Sequence, residues 1–196
     1  MKTDKMKSFI FLIILFSAGN IYSQWQIMET APLDNYRKIL FTSASFYAIT
    51  ETNGIAQSVD SGLTWQQTNN GLSGEALNCY DILLSSENIY LATVDGIYLS
   101  TDGGYLWIKK SEGMTIGDSV NNIYAYTIFE NNNKLYAGTY LGVYTSTDSG
   151  ENWTITSLAS QNSKVVTFKY FNEIIFAGKE NNTGCPAYKT TNSGIN

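Results

Sequence analysis

The chain has 196 residues, 12 basic and 17 acidic side chains, no histidine and a formal net charge of −5. That balance argues against nucleic acid or an anionic membrane surface as a partner. Without an imidazole there is no Ser-His-Asp triad, and with two cysteines and no CxxC pair there is no donor set for a structural zinc, so no metal or cofactor is expected.

The first segment carries Lys2, Lys5 and Lys7, then the apolar run Phe9–Phe16, then small and polar residues up to Ser23. A basic start followed by an apolar core too short to span a bilayer reads as a secretory leader over residues 1–23, cleaved after Ser23. No later segment approaches membrane-spanning length, so the expected location is secreted, periplasmic or cell-surface. Residues 24–37 read as an N-terminal strand, centred on Trp25-Gln-Ile-Met28, with the character of a strand that completes a ring.

From residue 38 to 196 the chain is periodic. Ser58-Val-Asp60-Ser-Gly62-Leu-Thr64-Trp65 recurs as Ser100-Thr-Asp102-Gly-Gly104-Tyr-Leu106-Trp107 and as Ser146-Thr-Asp148-Ser-Gly150-Glu-Asn152-Trp153. A degenerate copy, Thr190-Thr-Asn192-Ser-Gly194-Ile-Asn196, reaches the last residue before its Trp. The Asp-type position advances by 42, 46 and 44 residues, the mark of a repeat architecture. Each period holds four short runs rich in Tyr, Ile, Val, Thr and Phe, punctuated by Gly, Asn and Asp. No sustained 3.6-residue apolar period is present, so the class is all-β and the unit is the four-stranded blade of a β-propeller. About three and a half blades are counted, the fourth incomplete.

The pattern Ser/Thr-x-Asp-x-Gly-x-x-Trp resembles the Asp-box, or BNR repeat. It occurs in propellers of sialidases, xyloglucanase-type glycoside hydrolases, sortilin-like receptors and photosystem assembly factors. The resemblance covers residues 38 to 196 and implies a propeller. Because those propellers usually have six or more blades, it also implies that further blades follow residue 196. The alternative is a four-bladed ring closed by Trp25.

Within the blocks, Asp60, Asp102 and Asp148 are expected to accept backbone N–H groups in a tight turn. Gly62, Gly104 and Gly150 supply a positive φ, and Trp65, Trp107 and Trp153 pack over the turn and the neighbouring strand. One carboxylate per block is too few for a calcium loop, so Ser58, Ser100, Ser146 and their partners are assigned to structure.

The sialidases among these relatives grip their substrate with three arginines, and this chain has only Arg37. Lysine does not replace a planar bidentate fork. The first blade reads Tyr47-Ala-Ile-Thr-Glu51-Thr-Asn-Gly54, similar to the Tyr-Ala-x-Thr-Asp-x-Gly-Gly segment that carries a catalytic Asp in xyloglucanase-type hydrolases. Glu51 is therefore a weak catalytic candidate, with no second carboxylate assigned and Glu in place of Asp.

The turns between second and third strands share a face with the blade connections, opposite the Asp-box turns. That face gathers Glu51, Thr52, Asn53, Asp95, Tyr140, Glu180, Asn181 and Asn182, joined by Asn69–Gly71 and Glu112–Met114. Loops on a rigid scaffold are where recognition sits, and tyrosine beside amide and carboxylate suits a sugar ring or a peptide. The expected role is thus a non-enzymatic recognition or scaffold module for a carbohydrate or protein ligand. A glycoside hydrolase propeller is the alternative. Cys79 and Cys185 fall in different repeats and are expected to be free thiols.

Overall fold

A computed structural model describes residues 10–12, 25–27, 30–32, 34–115, 123–158, 164–180 and 187–192. The expected leader cleavage at Ser23, Asn181, Asn182 and Cys185 lie outside the described residues. Two three-residue strands, β1 (Ile10–Leu12) and β2 (Trp25–Ile27), pair with each other antiparallel. The strand that carries Trp25 lies against Ile10–Leu12.

The blades follow in series. The first is β3 (Tyr36–Phe41), β4 (Phe46–Thr50), β5 (Ile55–Ser58) and β6 (Gln66–Gln67). The second is β7 (Cys79–Ser85), β8 (Asn88–Thr93), β9 (Gly96–Ser100) and β10 (Ile108–Lys109). The third is β11 (Ala125–Asn131), β12 (Lys134–Thr139), β13 (Gly142–Ser146) and β14 (Thr154–Ile155). The fourth holds β15 (Val165–Phe171), β16 (Ile174–Lys179) and β17 (Ala187–Thr190). Every pairing is antiparallel and sequential, giving three four-stranded sheets and one three-stranded sheet. The chain is a run of about three and a half β-propeller blades. The one helical element among the described residues is a 3-10 turn, Gly74–Leu77, in the connection between the first and second blades.

Sandwiching explains the sequence of the middle strands. Ile89-Tyr-Leu-Ala-Thr93 is buried at each position because both faces of a central blade are covered by neighbours, so it reads as a continuous apolar run and does not alternate. The outer strands β6, β10 and β14 are exposed and two residues long, which leaves little unpaired edge for another chain.

Three kinds of contact tie successive blades together. Trp107 Nε1 donates to the Thr68 carbonyl at 2.8 Å, and Trp153 Nε1 to that of Lys110 at 2.9 Å, so each indole seals its blade against the one before. Tyr47 and Tyr90 hydroxyls donate forward to the carbonyls of Gly103 and Ser149 in the next blade's block. Asp81, buried on β7, accepts Lys38 Nζ from β3 and Thr127 Oγ1 from β11, clamping three blades through one carboxylate. The linkers pack tightly: a Cβ on Gly71, at φ +93°, would lie 2.0 Å from the Trp107 carbonyl oxygen.

Candidate functional site

The block turns are closed structural units. Ser58 Oγ donates to Asp60 Oδ1 at 2.8 Å and accepts the Gly62 N–H, while Asp60 also accepts the Thr64 N–H at 2.8 Å. Ser100 and Asp102 repeat this with Gly104, Tyr105 and Leu106, and Ser146 and Asp148 with Gly150 and Asn152. Gly62, Gly104 and Gly150 take φ values of 88–89°, where a Cβ is disfavoured. Donors concentrated on the carboxylates hold Asp60 and Asp148 down at about 2, with the side chain of Thr64 and the N–H of Asn152 the leading causes. Trp65 Nε1 closes its own turn onto the Gly62 carbonyl at 3.0 Å.

On the opposite face, the first strand of each blade is bulged at the same place. Pairing skips a residue between Tyr36 and Lys38, Cys79 and Asp81, Ala125 and Thr127, and Val165 and Thr167. The residues set off the ladder are Arg37, Tyr80, Tyr126 and Val166. A bulge re-aims the side chain it carries, and here it gathers the first three into one row across neighbouring strands. Arg37 Cζ lies 3.9 Å from the Tyr80 ring centroid, Tyr80 meets Tyr126 edge-on at 4.9 Å, and Lys164 Nζ sits 4.6 Å from the Tyr126 ring. Tyr124 extends the aromatic surface, 6.4 Å from Tyr126 and 41% exposed.

Each cation is held at its outer end by a carboxylate. Glu51 pairs with Arg37 at 3.6 Å and accepts Asn35 Nδ2 at 2.8 Å, while Glu180 pairs with Lys164 at 2.7 Å. Arg37 further donates to Asn78 Oδ1 and the Cys79 carbonyl, so the single arginine is also a clamp between blades one and two. Burial, followed by like-charge repulsion from Tyr80, Tyr124, Glu180 and Tyr140, pushes the Tyr126 phenol up to about 12; it remains a neutral donor at physiological pH.

Of the residues expected on this face, Glu51, Tyr140 and Glu180 are brought to the row. Asp95 is drawn aside, paired with Lys109 at 2.8 Å and accepting the Tyr98 hydroxyl at 2.6 Å within its own blade. Asn53 belongs to the β4–β5 turn, its carbonyl accepting from Gln67 and Asn69. Asp34, which the sequence did not single out, accepts the N–H groups of Asn35, Thr52 and Asn53 and so builds the turn that carries Glu51. Sequence reasoning also passed over Tyr80, Tyr124, Tyr126 and Lys164. The available signal was positional: Tyr80 and Tyr126 stand equally far ahead of Asp102 and Asp148.

Cys79 is buried and free, its thiol pushed up to about 12 by burial. Among the described residues no group of three or more acidic or cysteine side chains could hold a metal, and no helix is long and apolar enough to cross a membrane.

No protein-family model matches the chain, and no curated protein matches it in sequence. Solved structures do match. The extracellular domain of the two-component system protein BT4673 from B. thetaiotaomicron has a TM-score of 0.71 at 17% identity, over 89% of this chain and 23% of that one. An ancestral GH74 enzyme gives 0.66 at 19% identity, over 87% and 24%. YCF48, solved bound to D1 peptide, gives 0.53 at 15% identity, over 74% and 47%. The chain thus spans about a quarter of the length of the first two. At these identities the likeness establishes the β-propeller fold.

Proposed function

We propose that this chain is an exported Asp-box β-propeller module that recognises a carbohydrate or peptide ligand across the Tyr80–Tyr126 row, without hydrolysing it. The observation that carries this reading is the row itself: two edge-packed tyrosines between Arg37 and Lys164, with Tyr124 and Tyr140 each 41% exposed beside them. Aromatic faces bind apolar sugar faces or side chains, and fixed charges at both ends orient polar groups. The blocks on the other face, with their carboxylates already occupied by turn N–H groups, support the Asp-box assignment and a purely structural role for it.

A hydrolase reading is favoured by the likeness to GH74 enzymes and by Glu51. It needs a second carboxylate facing Glu51. Asp34, which builds the same turn, is occupied by backbone donors, and Glu51 itself is paired with Arg37 and Asn35.

The test titrates the full chain with xyloglucan oligosaccharides, sialyl-lactose and a displayed peptide library. Binding of one class, weakened about tenfold by Tyr126→Ala with the fold intact, is expected, an effect of about 1.4 kcal/mol. A folded protein that binds none of these probes would defeat the recognition reading. Turnover of xyloglucan that Glu51→Gln abolishes would establish the hydrolase.

A further inference from the structure

The seam between the first and second blades differs from the next seam at two repeat-equivalent positions. Three places after the block Trp stand Thr68 in the first blade and Lys110 in the second. Three places after the block Asp of the following blade stand Tyr105 and Glu151. At the second seam Lys110 Nζ pairs with Glu151, an ion pair that bridges the two blades. At the first seam the same two places carry an aliphatic hydroxyl and a phenol, and both line a groove of about 350 Å³. That volume falls in the range of small-ligand sites, about 300–1,000 Å³.

The groove runs along β6, the outermost strand of the first sheet, from the block to the linker at Asn70. No charged side chain is among its lining residues. Tyr105 is 66% exposed, and Gln66 and Asn70 are exposed amides. Gln57 is buried, its amide nitrogen donating to Ser45 Oγ at 3.0 Å and to the Tyr47 hydroxyl at 3.1 Å, which fixes the orientation of the amide. Thr68 Oγ1 is buried and has no hydrogen-bond partner among the described residues. The repeat offers it one: Thr156, at the same place in the third blade, donates both its N–H and its Oγ1 to the Val143 carbonyl. Thr68 uses only its N–H on the equivalent Ile55 carbonyl. A buried hydroxyl without a partner is costly, and a ligand oxygen in the groove would supply one.

The structure assigns this groove as a binding site for a neutral saccharide. A pyranose presents hydroxyls around its rim and C–H groups on its faces. Amides and hydroxyls answer the first, and the ring of an exposed tyrosine answers the second. An ionic ligand is disfavoured, because its charge would lose water with no counter-charge in the lining. The site lies along an outer strand, whereas the Tyr80–Tyr126 row lies on the first strands, at the other edge of the sheets. The assignment therefore does not rest on the reading of the row.

The test titrates the full chain with lactose, cellobiose and N,N′-diacetylchitobiose, each to about 50 mM, and follows the side-chain amides by NMR. One of these sugars should shift the Gln66 and Asn70 amide signals saturably. Tyr105→Ala, at an exposed position, should weaken that binding about tenfold with the fold retained. Thr68→Lys with Tyr105→Glu, which installs the ion pair of the second seam, should abolish it. The amide shifts are read on the parent protein and so test the site independently of how either variant folds. No saturable shift of those signals with any of the three sugars would overturn the assignment. So would binding that Tyr105→Ala leaves unchanged while Tyr126→Ala weakens it, which would place the sugar on the row.

Discussion

Lys38 donates Nζ to Asp81 Oδ1 at 2.6 Å, joining the first strands of two blades through a carboxylate that is only 12% exposed. The same carboxylate accepts the Ile82 N–H, and its second oxygen takes Thr127 Oγ1 at 2.8 Å and the Ile128 N–H at 3.0 Å. Asp81→Ala should therefore strand one ammonium and several donors at once and destabilise by about 2–4 kcal/mol. Asp81→Asn, which keeps an acceptor, should cost about half of that. Denaturant unfolding of both variants checks it; equal losses would mean that packing, not hydrogen bonding, sets the effect.

Trp107→Ala should cost about 3–5 kcal/mol, because its indole fills the space between two blades and its Nε1 bonds the Thr68 carbonyl of the blade before. Gly71→Ala should be damaging for a different reason. The new Cβ would meet the Trp107 carbonyl at 2.0 Å from a residue at φ +93°, so a loss of about 2 kcal/mol is expected from one methyl group. Thermal melts of both rank the effects, and a neutral Gly71→Ala would show that the linker can move away from the next blade.

Acid should loosen the block turns. Asp60 and Asp148 have folded pKa values of about 2 against an ordinary 3.8, so the folded state binds fewer protons than the unfolded one between these values. Their contribution is complete above about pH 4 and is lost as the pH falls to about 2. Asp34 and Asp102 are lowered in the same direction, Asp102 chiefly by the Ser100 hydroxyl; for Asp34 the lowering comes from backbone N–H groups acting against burial. The double variant Asp60→Asn, Asp148→Asn should show a shallower fall of Tm between pH 4 and pH 2 than the parent. Identical slopes would contradict the turn geometry.

Cys79 should be chemically silent while the protein is folded. Its thiol is buried, pushed up to about 12, and its Sγ lies 3.6 Å from the Ala76 carbonyl oxygen. In a Cys185→Ser background, labelling by a thiol reagent at pH 8 should follow global unfolding. Rapid labelling under native conditions would place an opening between the first and second blades.

The repeat, the blade and the block turns were legible in the sequence because each is local. A serine hydroxyl, a carboxylate, a glycine at positive φ and an indole within one short block satisfy one another with little help from the rest of the chain. The turn positions of Glu51, Tyr140 and Glu180 followed from counting strands. What the sequence left undecided depends on contacts between blades. Trp107 bonds a carbonyl 39 positions back and Tyr47 one 56 positions ahead, so their partners are set only when one sheet packs on the next. The row of Arg37, Tyr80 and Tyr126 rests on a bulge in three successive strands. Bulge register is chosen by how the strands twist against each other in the packed array, not by the propensity of the residues that carry it. Asp95 shows the converse: its turn placed it on the face that carries the Tyr80–Tyr126 row, and its neighbours Lys109 and Tyr98 took it away.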